Sequence, residues 1–178
     1  MSILKCLLTL LTFAAPLIGR TVVLLNGQGD VAYHVSMSKK IELDITLPYP
    51  IEKVWQAITQ PELMSQWIME TDFSPTVGKE FTFKGKPNKM WRGWVDCKVT
   101  KVEPQKLVQF TWQNSEKHTP TLITYTLSKT ENGTHVHAVN EGFDSTYGAF
   151  SGLFFRTMIK MGMKVEFKKK LPEVVAKV

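Results

Sequence analysis

The stretch WRGWVDCKVTKVEPQKLVQFTW, residues 91–112, constrains the fold more than any other part of the chain. Apolar side chains recur at every second position, first at Val95, Cys97 and Val99, then at Val108, Phe110 and Trp112. Asp96, Lys98 and Thr100 take the other face of the first run, and Gln109 and Thr111 that of the second. A period of two belongs to half-buried strands, because successive side chains leave a strand on opposite faces. Pro104 has no ladder donor, so Val-Glu-Pro-Gln-Lys between the runs is the turn of a hairpin. The chain must therefore build a sheet with one covered face.

The flanking segments say what covers it. Lys39 to Leu47 alternates Ile41, Leu43, Ile45 and Leu47 and is ended by Pro48 and Pro50. Ile51, Val54, Trp55 and Ile58 then follow at helical spacing, with Pro50 where a first-turn proline is tolerated. A second short helix from Pro61 carries Leu63, Met64 and Trp67, and after Gly78 a strand places Phe81 and Phe83 on one face. Beyond the 91–112 hairpin, Ile123, Tyr125 and Leu127 alternate, Asn132-Gly133 reads as a turn, and Val136 and Ala138 lie on the return. From about residue 146 to 174 the pattern is helical, with Phe150, Leu153, Phe154, Met158, Met161 and Val165 along one stripe. The order is one strand, two short helices, about six strands in hairpins and a long helix. That is an α+β layout, an antiparallel sheet whose apolar face is covered by a C-terminal helix.

Bulk properties fit one domain. At 178 residues, 43% apolar and 21% charged, the chain has the composition of an ordinary globular protein. Net charge is +6, but the basic residues are scattered, and the run Lys168-Lys169-Lys170 reads as a solvated helix face. A nucleic-acid partner would call for a basic stripe with outward aromatics, and Phe110 and Trp112 point to the covered face. Cys6 and Cys97 make no disulfide framework, and Cys97 falls on an apolar face as a small hydrophobe. Residues 1–36 stand apart from the domain at 37–178. MSILKCLLTLLTFAAPLIG has the length of a signal peptide, is broken by Pro16 and Arg20 too soon for a stable membrane span, and offers a poor cleavage site. Met37-Ser38-Lys39-Lys40 has the character of a second start. With Met37 as native start, the favoured reading, the protein is expected in the cytoplasm; with a working leader it is expected to be exported.

The order of elements, with its landmarks, resembles the START-like superfamily, also called SRPBCC or helix-grip. Within it the chain resembles the family named for homology to the activator of the heat-shock protein 90 ATPase. The residues that carry the resemblance are PIEKVWQAITQPELMSQW, then Gly78, Gly93 and VTKVEPQKLVQFTW, then GTHVHAVNEGF before the last helix. They span roughly Lys39 to Leu171 and none of the leader. The resemblance implies a helix-grip fold, a curved antiparallel sheet wrapped around the long helix, and a pocket between the two. The expected lining is Phe83, Val95, Phe110, Trp112, Ile123, Tyr125, Phe154, Met158 and Met161, with Trp67 closing one mouth. Met158, Met161 and Met163 would adapt to varied ligand shapes, and the Tyr125 hydroxyl would meet a ligand polar group.

The chemistry is sparse. His135 and His137 share a strand face, but opposite Val136 and Ala138, hence on the outside; with no third ligand to name beside them, no metal is expected. No nucleophile elbow, phosphate loop or zinc motif occurs, and no cofactor is expected. Tyr125, Asn140 and Glu141 are the polar groups within reach of a pocket, and the resemblance gives Glu141-Gly142 a structural place at a strand end. The leading expectation is non-enzymatic binding of a hydrophobic small molecule such as a fatty acid, isoprenoid or aromatic metabolite. The alternatives are a chaperone-interacting module, implied by the resemblance alone, and a cyclase- or hydrolase-like enzyme using the same cavity. A polar group deep in the pocket with a shifted pKa would mark the enzyme, and an exposed charged or apolar patch the chaperone module.

Overall fold

The hairpin at 94–112 is the middle of a seven-stranded antiparallel sheet with the order β1-β7-β6-β5-β4-β3-β2. A computed structural model of the protein describes residues 40–89, 91–116, 119–143 and 149–178, with side chains in the last segment from residue 156 onward. The strands are β1 (Ile41–Leu47), β2 (Glu70–Thr71), β3 (Glu80–Lys84), β4 (Trp94–Glu103), β5 (Leu107–Trp112), β6 (Thr121–Thr130) and β7 (Gly133–Glu141). Helices α1 (Ile51–Thr59) and α2 (Pro61–Trp67) follow β1; α3 (Ala149–Val165), a π-helical turn (Glu166–Lys170) and α4 (Leu171–Val175) end the chain. This is the expected α+β helix-grip order. The possible leader, Met37, His118, Phe150, Leu153 and Phe154 lie outside the described residues or side chains. Among the described residues no helix is long and apolar enough to cross a membrane.

Alternation sets the register. Val95, Cys97, Val99, Val108 and Phe110 are buried, as are Ile123, Tyr125, Leu127, Val136 and Ala138 on the neighbouring strands. Cys97 is buried and its thiol is pushed well above the ordinary range by loss of solvent. The β4–β5 ladder pairs Val99 with Phe110 but Lys101 with Gln109, so Thr100 is an extra residue. Such a bulge bends its strand and helps the sheet curl. The β6–β7 turn lies one residue earlier than the Asn-Gly pair implies: Thr130 pairs with Gly133, leaving Glu131 and Asn132 as the loop. Gly133 is needed for another reason. It has φ +130, and a Cβ there would collide with the Leu47 carbonyl at the end of β1.

Helices α1 and α2 close part of the sheet. Ile51, Val54, Ala57 and Ile58 form the buried face of α1, and the Trp67 indole donates to the Ala57 carbonyl at 2.9 Å, tying α2 to α1. The C-terminal segment departs from expectation in its phase. Met158, Met161 and Val165 are exposed, Met161 at 66%, while Ile159 and Met163 turn toward the core and Phe167, Leu171, Val174 and Val175 are buried. Two apolar stripes about 100° apart run along this helix, since one residue advances it by that angle. The downstream residues decide between them. Phe167, Leu171 and Val175 are four apart, a spacing that drifts around an α-helix, and the wider π turn absorbs part of the drift. Pro172, which has no N–H to donate, stands two residues beyond that turn, as the second residue of α4.

Candidate ligand cavity

Between the curved sheet and α3 lies a cavity of about 650 Å³. Val95, Trp112, Ile123, Tyr125 and Asn140 line it from the sheet; Met158, Ile159, Gly162, Met163 and Glu166 line it from α3 and the π turn. Ile68 and Met69 after α2, Asn88, Trp91 and Arg92 before β4, and Asn114 and Ser115 after β5 complete the wall. Gly85 lets the Trp91 indole in: a Cβ there would lie 2.8 Å from the ring.

Of the expected lining residues, Val95, Trp112, Ile123, Tyr125 and Met158 do border this space. Trp67, Phe83 and Phe110 do not. Phe83 and Phe110 are fully buried in an aromatic cluster with Phe73 and Phe81, whose rings meet edge to face at 4.9–6.1 Å. Trp67 is buried against the Tyr125 ring, edge-on at 5.8 Å, and closes no mouth. Aromatic packing thus fills the space under β3 and β5, and the cavity is what remains beside it. Met161 faces solvent because α3 presents its other stripe to the sheet.

The wall is more polar than alternation foretold. Arg92 stacks its guanidinium 4.7 Å from the Trp94 ring centre and pairs with Asp96 at 2.6 Å. It also donates to the carbonyls of Trp94 and Gln113. On either side of Gly93, Trp91 reaches the cavity and Trp94 is exposed. Asn140 is buried; its amide nitrogen reaches only the Met163 sulfur at 3.7 Å, and its Oδ1 has no partner among the described residues. Tyr125, stacked on Phe167, has its hydroxyl pKa raised by burial and secondarily by Glu166. Burial pushes the Glu166 carboxyl up to about 7, against the opposing pull of Lys170. Glu166 escaped the sequence reading because it falls in a charged run that looks like a solvated helix face. A position three beyond Met163 was the only signal.

Outside the cavity, His137 meets Asp44 at 2.8 Å and His135 meets the same oxygen at 3.1 Å, on the outer face of β1 and β7. The His137 bond holds the Asp44 carboxyl below its ordinary range. Among the described residues no grouping fit for a metal ion occurs. Glu141 ends β7 opposite Leu122 and does not border the cavity.

Residues 48–169 match the family described as Activator of Hsp90 ATPase homolog 1-like protein. The chain belongs to that family. Its fold is shared by protein MLL2253 from Mesorhizobium loti, 28% identical, with 79% of this chain and 98% of that one aligned at a TM-score of 0.66. Protein BH1534 from Bacillus halodurans is 25% identical over 76% of this chain and 96% of its own, with a TM-score of 0.64. DynU16, from the dynemicin biosynthetic locus, is 20% identical and is covered over 47% of its length against 77% of this one, at a TM-score of 0.63; it shows the fold alone. No curated protein matches the chain.

Proposed function

We propose that this domain binds a hydrophobic small molecule in the cavity between sheet and α3. The observation that carries the reading is the cavity itself, about 650 Å³ of space bordered by Ile, Val, Met and Trp side chains in an otherwise packed interior. Protein cores ordinarily close voids larger than a water molecule, since each lost contact costs dispersion energy. A space of this size falls within the roughly 300–1,000 Å³ of small-molecule sites. The family's fold supports a ligand-binding domain in general. Affinity would come from apolar ligand surface leaving water, at about 25 cal/mol per Å². The test is native mass spectrometry of the protein purified from its own host without detergent, repeated after denaturation and solvent extraction. A stoichiometric extra mass released on denaturation supports a carrier; a clean apo mass, with no stabilisation by fatty acids or isoprenoids, counts against it.

One observation favours a second reading. A carboxyl with a pKa of about 7, facing a largely apolar cavity, is suited to move a proton in catalysis. Turnover of a bound metabolite that disappears in Glu166→Gln while binding survives would make the domain an enzyme. The chaperone-contact reading draws on the exposed Met158, Met161 and Val165 of α3, and gains ground only if the cavity stays empty.

A further inference from the structure

Three polar groups border the cavity: the Glu166 carboxyl, the Tyr125 hydroxyl and Asn140 Oδ1, the last buried without a hydrogen-bonding partner among the described residues. They come from the π turn, β6 and β7, with Tyr125 close enough to Glu166 to feel its charge and Asn140 in contact with Met163, three residues before Glu166. The carboxyl and Oδ1 are acceptors and the hydroxyl both donates and accepts. Buried acceptors left unmade cost free energy, and an ionised carboxylate costs more. The missing complement is a group rich in donors and positively charged.

We propose that the cavity selects amphiphiles with an ammonium head, seated among Glu166, Asn140 and Tyr125, over fatty acids of the same chain length. The proposal rests on the reading that the cavity is a ligand site. An ammonium offers three donors and matches the three groups. A fatty-acid carboxylate would bring further acceptors and a like charge next to Glu166. Its natural partner would be Arg92, but that charge is already balanced by Asp96 at 2.6 Å, and its Nε and Nη2 are held by backbone carbonyls and Asp96. Lys170, one turn beyond Glu166, is the other cation felt there. Of the elements packed against the π turn, α2, α4 and β1 carry Glu62, Glu173, Glu42 and Asp44, and α3 carries Lys160 and Lys164, all exposed, together with the half-buried Arg156. Binding then draws Glu166 into its ionised form, so affinity for the amine rises as pH passes through about 7.

The experiment is calorimetric titration of the full chain with decylamine, decyltrimethylammonium, 1-decanol and decanoic acid. Decylamine is expected to bind at least about tenfold tighter than decanoic acid, a charge-assisted contact being worth that much. Decyltrimethylammonium, with the charge and no donor, should lag behind decylamine; equal binding by the two would overturn the hydrogen-bonded seat. Glu166→Gln should erase the amine advantage and leave 1-decanol unchanged, and an advantage that survives the substitution overturns the proposal. In the unsubstituted protein, which needs no variant to fold, amine affinity should fall by about tenfold from about pH 8 to about pH 6; a flat profile also overturns it. Binding of all four probes without preference removes the ammonium selectivity and keeps the ligand site. Binding of none removes both.

Discussion

Glu166 bears a cost in the folded state. Its carboxyl faces an apolar wall, and loss of solvent raises its pKa from 4.5 to about 7. In the unfolded chain this proton leaves near pH 4.5, in the folded protein near pH 7. The folded state holds the extra proton in between, so stability from this group is full below pH 4.5 and falls as pH rises to about 7. Above that, the protein carries a buried anion. Glu166→Gln removes the penalty while keeping the shape, and is expected to raise the unfolding free energy by roughly 2–3 kcal/mol at about pH 8 and by little at about pH 4.5. Urea denaturation at the two pH values checks this. An equal gain at both would assign the effect to packing. A residue that destabilises the fold near neutrality, in a cavity wall, fits a binding or proton-moving role.

At the scale of elements, the C-terminal helix decides where the cavity is. The π turn at Glu166–Lys170 keeps Phe167, Leu171 and Val175 toward the core, sets Met158 at the cavity wall and leaves Met161 and Val165 outside. With Met161 exposed, Met161→Lys is expected to change stability by less than about 0.5 kcal/mol, as exposed substitutions do. Phe167→Ala, by contrast, opens a hole beside Tyr125 and costs about 3–5 kcal/mol. Chemical denaturation of the two variants separates the stripes; a large loss from the Met161 substitution would mean that this face is covered. The strands were legible in the sequence because a period of two has one phase, and a slip of one residue would turn Val95, Cys97 and Val99 to solvent. The helix was not, because methionines and valines made two adjacent stripes of similar apolarity. The same ambiguity hid Glu166 and placed Met161 inside. Trp67, Phe83 and Phe110 were legible as interior residues, but a period shows which way a side chain points and not whether a neighbour or empty space meets it.

Across the whole molecule, packed core and cavity share one apolar interior, and the proposed ligand site requires that they stay separate. The Phe73, Phe81, Phe83 and Phe110 cluster fills its part of that space with edge-to-face rings, while the region toward Gly162 stays open. Gly162 is where the separation can be tested without touching the core. It borders the cavity in the last turn of α3, is exposed, and a Cβ there would meet nothing within 4 Å. A glycine in a helix interior forgoes roughly 0.5–1 kcal/mol of stability relative to alanine, so the absence of a side chain has a cost as well as a use. Gly162→Trp would put an indole into the open volume from the helix side. The variant should unfold at the same or a slightly higher denaturant concentration, yet bind 1-decanol at least about tenfold more weakly, because the space for the apolar chain is gone. Native mass spectrometry should likewise find it free of any host ligand that the unsubstituted protein carries. If the variant binds as before, the apolar chain lies elsewhere and the cavity is only a packing defect. If it loses stability along with binding, this stretch of α3 belongs to the core, and core and cavity cannot be treated as separate parts of the interior.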